Sequence, residues 1–309
     1  MFSRRQFEKI ALAALPLPVA KAAPAAKIDS RIRGVQLGVH TFSFASLPHD
    51  GILDAIVACM VDARIGECIL LAQQMEPGEL WAQIRPAPGV AVRPDAQSEA
   101  RRKLGDWRLS VSLDYFRGIR RKFEYAGIEI FGYGASPIGG DEELHRTFEI
   151  AQAVGASAVI LGGTMDLARR LAPIAAEHKM NVGLQGHPGT DSSDPNQISR
   201  PQDFLTACAL SENFHIYLDI GDATGARWDV LRFVALHHEI IHGVYLKDRR
   251  KDRVSVPWGE GDTPIRPVLQ MIRDRRFAIR AFIDCDYKTD VSPAAKVKRC
   301  FEYARTALT

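Results

Sequence analysis

Short apolar runs alternate along the chain with segments whose apolar residues recur every three to four positions. Eight runs read as strands: "GVQLGV" (34–39), "ECILLA" (67–72), "IEIFGY" (128–133), "SAVILG" (157–162), "NVGLQG" (181–186), "HIYLDI" (215–220), "HGVYLK" (242–247) and "RAFIDC" (280–285). They are rich in Ile, Val and Leu with little polar alternation, as strands buried on both faces require. Helical patterns lie between them, among them "ILDAIVACMVDA", "DEELHRTFEIAQAVG" and "AAKVKRCFEYARTAL". The second of these opens with acids suited to a helix N-terminus and closes on Gly155. Eight strand–helix alternations predict a single (β/α)8 TIM barrel over residues 26–309. A doubly wound sheet is the alternative, but no Gly-x-Gly-x-x-Gly follows the first strand. Residues 74–108, rich in Pro and charge, interrupt the rhythm after the second strand. They read as a long loop, either a lid over the barrel mouth or a disordered insert.

The N-terminus has a different character. "SRRQFEKIALAALPLPVAKAAPA" carries Arg4 and Arg5, then Phe7 and Lys9, a short apolar stretch and an alanine-rich end. This layout resembles a twin-arginine signal over residues 1–25, which predicts export to the periplasm through the twin-arginine machinery. Pro16 and Pro18 oppose the alternative of a basic arm followed by a helix. No apolar run approaches the roughly 20 residues of a spanning helix, so no stable membrane span is expected after signal removal.

Composition is ordinary for a globular chain of 309 residues, with 46% hydrophobic and 25% charged. Residues 1–25 hold four basic residues and one acid, and the whole chain is also +3, so the remainder is near neutral. Such a domain has no broad electrostatic footprint for nucleic acid. Five scattered cysteines without a Cys-x-x-Cys pair do not suggest a disulfide framework, and buried thiols are the expectation.

In a barrel of this kind the chemistry gathers where strands end. His40 ends the first strand, Gln185 and His187 the fifth, and Asp219 and Asp222 the sixth. Tyr245, Lys247 and Asp248 end the seventh, and Asp284 and Asp286 the eighth. Asp219 and Asp284 interrupt strands otherwise full of large apolar groups, which is costly unless each is paired, hydrogen-bonded or bound to a metal. With amide or imidazole donors they make a candidate cage for a hard divalent cation such as Mg²⁺ or Mn²⁺. The other reading is that they cap strands and pair with Lys247 or Arg249. Lys247 is suited to neutralising an enolate or holding a sugar hydroxyl, Arg249 to holding a phosphate, and Glu260 in "PWGEGDTP" either reaches the mouth or is a turn residue.

Taken together, "GVQLGVHTFSF", "AGIEIFGYG", "YLDIGD", "VYLKDRR" with "PWGEGDTPI", and "FIDCDY" resemble the sugar phosphate isomerase/epimerase family with the xylose isomerase-like barrel, over about Gly34 to Leu308. The resemblance is strongest to its exported branch. It implies one divalent metal (Mn, Mg or Zn) at positions occupied here by Gln185, Asp219, Tyr245 and Asp284, of which only Asp219 has the expected type. His187 matches a second histidine after the fifth strand, and Lys247–Asp248 match a Leu-Lys-Asp motif. Asp222 stands where a histidine often follows the strand-six acid. The implied function is isomerisation, epimerisation or a related elimination on a carbohydrate, by proton abstraction next to a carbonyl. Asp284 would be the base and Lys247 would assist, while His40, His187, Arg249 and Glu260 contact substrate. Because Gln185 does not titrate and a neutral Tyr245 is a poor ligand, the alternative is a site without metal. A catalytically degenerate carbohydrate-binding barrel is the rival reading.

Overall fold

The structure, a computed structural model, describes residues 25–87, 89–136, 139–186, 188–189 and 193–309. The twin-arginine stretch and His187 lie outside these residues. Eight parallel strands close into a barrel: β2 (Val35–His40), β3 (Glu67–Leu71), β4 (Glu129–Gly134), β5 (Ala158–Leu161), β6 (Asn181–Leu184), β7 (Phe214–Asp219), β8 (Ile241–Leu246) and β9 (Arg280–Ile283). Pairing of β9 with β2 leaves no open edge. The eight strands coincide with the eight apolar runs to within two residues at every end. A two-residue strand, β1 (Arg31–Ile32), adds an antiparallel turn onto β2.

Most buried apolar side chains divide between two cores. One lies between the sheet and its jacket of helices, which include Ile52–Ala63, Leu113–Tyr125, Asp141–Val154 and Pro293–Leu308. The other fills the barrel itself with Ile69, Phe131, Ile160, Tyr217, Tyr245 and Phe282. Large rings fit inside because neighbouring strands offer glycine. A Cβ at Gly183 or at Gly243 would stand 2.5 Å from the Tyr217 ring, on opposite sides of it. Gly243→Ala is therefore expected to destabilise the barrel by about 1–3 kcal/mol through overpacking, read as a lower urea midpoint at unchanged m-value.

At the opposite end from the strand-end acids, Glu67 begins β3 and lies 3.1 Å from Arg280 Nε at the start of β9. Burial pushes its carboxyl from 4.5 up to about 7, with Glu129 adding to the shift and Arg280 opposing it. The native state thus binds this proton more tightly than the unfolded chain does. The associated stability is full below pH 4.5 and is lost as pH rises through about 7. Glu67→Gln is expected to gain stability relative to the wild type between pH 5 and pH 8. Urea titrations at the two values measure the difference, and equal offsets would contradict it.

Candidate active site

The C-terminal ends of the strands open into a cavity of about 630 Å³, within the range of small-molecule sites. Its floor is charged. Lys247, just past β8, is only 7% exposed, and its Nζ lies 2.9 Å from Asp219 Oδ2, 3.3 Å from Asp284 Oδ2 and 3.4 Å from Asp286 Oδ2. Arg249 continues the network, with Nε 2.9 Å from Asp222 and Nη2 2.9 Å from Asp286. His40 Nδ1 is 3.3 Å from Asp284 Oδ2. Residues from β2, β7, β8 and β9 thus share one ion cluster.

The electrostatics follow from this crowding. Burial alone would lower the Lys247 ammonium, but Asp219, Asp284, Asp286 and Asp222 outweigh it and hold the ammonium well above its ordinary range. Burial raises Asp284, yet Lys247 and His40 win and keep it well below the usual carboxylate range. Asp222 goes the other way: burial and Asp219 push it up to about 6 against Lys247 and Arg249.

Of the residues picked out by sequence, His40, Gln185, Asp222, Lys247, Arg249, Asp284 and Asp286 line the cavity. Glu260 does not. Asp248 folds the 257–264 turn by accepting from the backbone N–H groups of Gly259 (2.7 Å) and Gly261 (3.1 Å), and Glu260 is left exposed. Asp248 is therefore a buried loop latch. A Cβ at Gly261 would lie 2.2 Å from its Oδ1, so the "GEG" pattern serves the latch.

A divalent cation is a poor fit for Gln185, Asp219, Tyr245 and Asp284. Asp219 has both oxygens engaged, Oδ1 by the Asp222 N–H at 2.8 Å, where it caps the following helix, and Oδ2 by Lys247. Tyr245 is fully buried, and burial, with Tyr217 and Asp284 adding, drives its phenol well above its ordinary range, so it is neutral. The ammonium itself is the main obstacle. A further cation within 4 Å of it would be repelled by about 4 kcal/mol per unit charge at an effective dielectric near 20. Among the described residues, His145, Glu177 and His178 have metal-holding spacing, on the outer helices rather than at the barrel mouth.

The insert after β3 is not the long loop expected from its composition. It forms helices Gly78–Ile84 and Pro94–Ser110, which bury Trp81, Ile84, Ala100 and Leu104 against each other. Arg108, 2% exposed, anchors them: Nε and Nη2 each lie 2.8 Å from the Glu76 carboxylate, and Nη1 reaches Ser136 O at 3.0 Å and the Glu143 carboxylate. Trp81, Ile84, Arg85 and Arg101 then wall the cavity. Sequence reasoning missed these four. The spacing of Trp81 and Ile84 in "ELWAQI" is the only local signal for them, and it is too short to fix a helix.

Comparison with known proteins is consistent with this architecture. The profile of the family described as "Xylose isomerase-like TIM barrel" matches residues 140–306, more than half of the chain. The chain belongs to this family. No curated protein matches it in sequence. Solved structures similar to it include an L-ribulose 3-epimerase, at 13% identity and TM-score 0.61, covering 89% of this chain and 94% of that one. A 3-keto-D-glucoside 4-epimerase from E. coli aligns at 11% identity and TM-score 0.60, covering 88% and 99%. A sugar phosphate isomerase/epimerase from Parabacteroides distasonis aligns at 11% and 0.59, covering 91% and 97%. At these identities the likeness is one of fold, and within the family this member carries a lysine among its strand-end acids.

Removing the Arg108 guanidinium leaves Glu76 and Glu143 buried without their shared cation. Arg108→Met is expected to cost about 3–5 kcal/mol and to speed limited proteolysis within residues 78–110. Unchanged cleavage there would show that the insert is held by its apolar contacts alone.

Proposed function

We propose that the protein acts on a carbohydrate, moving a proton on a carbon next to a carbonyl, as an isomerase or epimerase. The observation that carries the reading is the His40–Asp284–Lys247 arrangement on the floor of a cavity of monosaccharide scale. The sugar epimerases among its structural neighbours support the substrate class. Export by the N-terminal signal belongs to the same proposal, with the sugar met outside the cytoplasm.

In this reading His40 is the base, in place of Asp284. A carboxylate held far below its ordinary range is a weak proton acceptor, whereas its position beside Nδ1 orients the imidazole and leaves Nε2 for the ligand. Nε2 takes the proton from carbon, the C–H electron pair becomes the enolate, and the developing oxyanion is offset by Lys247 and Arg249. The imidazolium then returns the proton to the former carbonyl carbon while the hydroxyl proton of the first carbon passes to the neighbouring oxygen, giving the isomer. Returned to the same carbon, it gives the epimer only when the enolate turns its other face to Nε2. Placing fixed cations where charge develops is the larger contribution in such a site.

The test is wash-in of deuterium from D2O into keto-sugars that shift the melting temperature, followed by NMR. His40→Ala is expected to slow wash-in by about 10²–10⁴-fold while sugar binding is retained. Wild-type rates in that variant would remove His40 from the chemistry. Binding with no wash-in at all would favour the carbohydrate-binding barrel.

A further inference from the structure

An ammonium has three N–H donors and no acceptor. The Lys247 nitrogen lies at ion-pair distance from three carboxylates on two strands, Asp219 at the end of β7 and Asp284 and Asp286 after β9, at 2.9, 3.3 and 3.4 Å. Three carboxylates converging on one buried point is the donor set of a hard divalent cation, and here a side chain has put its own positive charge at that point. The remaining groups agree. Tyr245 offers a phenol whose hydroxyl finds no hydrogen-bond partner among the described residues, and Asp219 spends its other oxygen on a helix cap. Two carboxylate oxygens, Asp284 Oδ1 and Asp219 Oδ2, are buried and without a hydrogen-bond partner among the described residues, the second facing Lys247 as an ion pair. The acids are therefore not satisfied by strand capping alone, and the cluster is organised around a cation.

We propose that the Lys247 ammonium stands in the place of a divalent cation, so that the mouth of this barrel is a metal-independent site whose carboxylates accept a metal only when that lysine is neutralised. The tethered charge differs from a metal in three ways. It cannot be removed by a chelator, it supplies one unit of charge rather than two, and it presents N–H donors instead of open coordination positions. A substrate oxygen would then be held by hydrogen bonding to Lys247 and Arg249. The replacement does not depend on which carbohydrate enters, so it can fail without the functional reading failing.

The experiment compares metal content and melting temperature of the wild type with Lys247→Ala, Lys247→Met and Lys247→Arg. Wild-type protein is expected to contain no stoichiometric Mn, Mg or Zn, and neither EDTA nor about 1 mM Mn²⁺ is expected to move its melting temperature by more than roughly 1 °C. Lys247→Arg should behave alike. Lys247→Ala and Lys247→Met should each take up one Mn²⁺ per chain and gain at least about 3 °C on its addition, and a further Asp219→Asn should abolish both effects. A wild type that carries one divalent ion, and loses it in Asp219→Ala, overturns the proposal. So does a folded Lys247→Ala that binds none. The wild-type measurement decides the matter even where neither neutral variant folds, and a metal-bearing wild type that still binds sugars would leave the carbohydrate reading in place.

Discussion

A buried ammonium surrounded by carboxylates constrains everything around it. Taking these charges out of water is expensive, and the expense is met only where the geometry lets each group find its counter-charge. Lys247 therefore fixes the relative placement of the ends of β7, β8 and β9, since Asp219, Asp284 and Asp286 must all reach one nitrogen. Arg249 extends the demand to Asp222, and His40 brings in β2 through Asp284. Removal of Lys247 would leave three carboxylates facing one another without their shared cation. The cluster is at once the floor of the cavity and the reason the strand ends are held as they are.

A second buried cation does the same for the cavity wall. Arg108 joins Glu76, which follows β3, to Glu143 on the helix after β4, and so draws the two insert helices onto the rim. The small apolar cluster of Trp81, Ile84, Ala100 and Leu104 closes over this anchor. Both walls and floor thus rely on a basic side chain inside the protein, with apolar packing filling in around it. Arg85 and Arg101 add exposed positive charge at the rim, opposite the acids below.

Much of the site was legible because strand ends are easy to find. In β7 and β9 an aspartate follows large apolar residues, and burial on both faces makes such a residue conspicuous, so Asp219 and Asp284 were picked out, with Lys247 and His40 beside them. Their partnership was only one of two readings. Whether the acids face a metal or a lysine depends on where the ammonium sits after the chain has folded, and no spacing in "VYLKDRR" specifies it. Glu260 was misplaced for a similar reason. Its neighbours Gly259 and Gly261 are bound by Asp248, eleven and thirteen residues earlier, and that latch turns the glutamate outward. The insert was obscured by its composition, since few of its residues are apolar and its anchor is a single arginine whose partners lie 32 and 35 positions away.

By itself the sequence determined the barrel, because eight doubly buried strands and their helices repeat a pattern that local hydrophobicity records directly. It also determined which chemical groups arrive at the mouth. Only the tertiary structure decided what those groups do to one another. The register that sets Asp219 beside Tyr245, and Tyr245 beside Phe282, brings three strands to a common level. At that level the long, flexible lysine side chain reaches the centre of the carboxylates. Charge interactions act across space between strands far apart in the chain, so their outcome was not fixed until the barrel had closed.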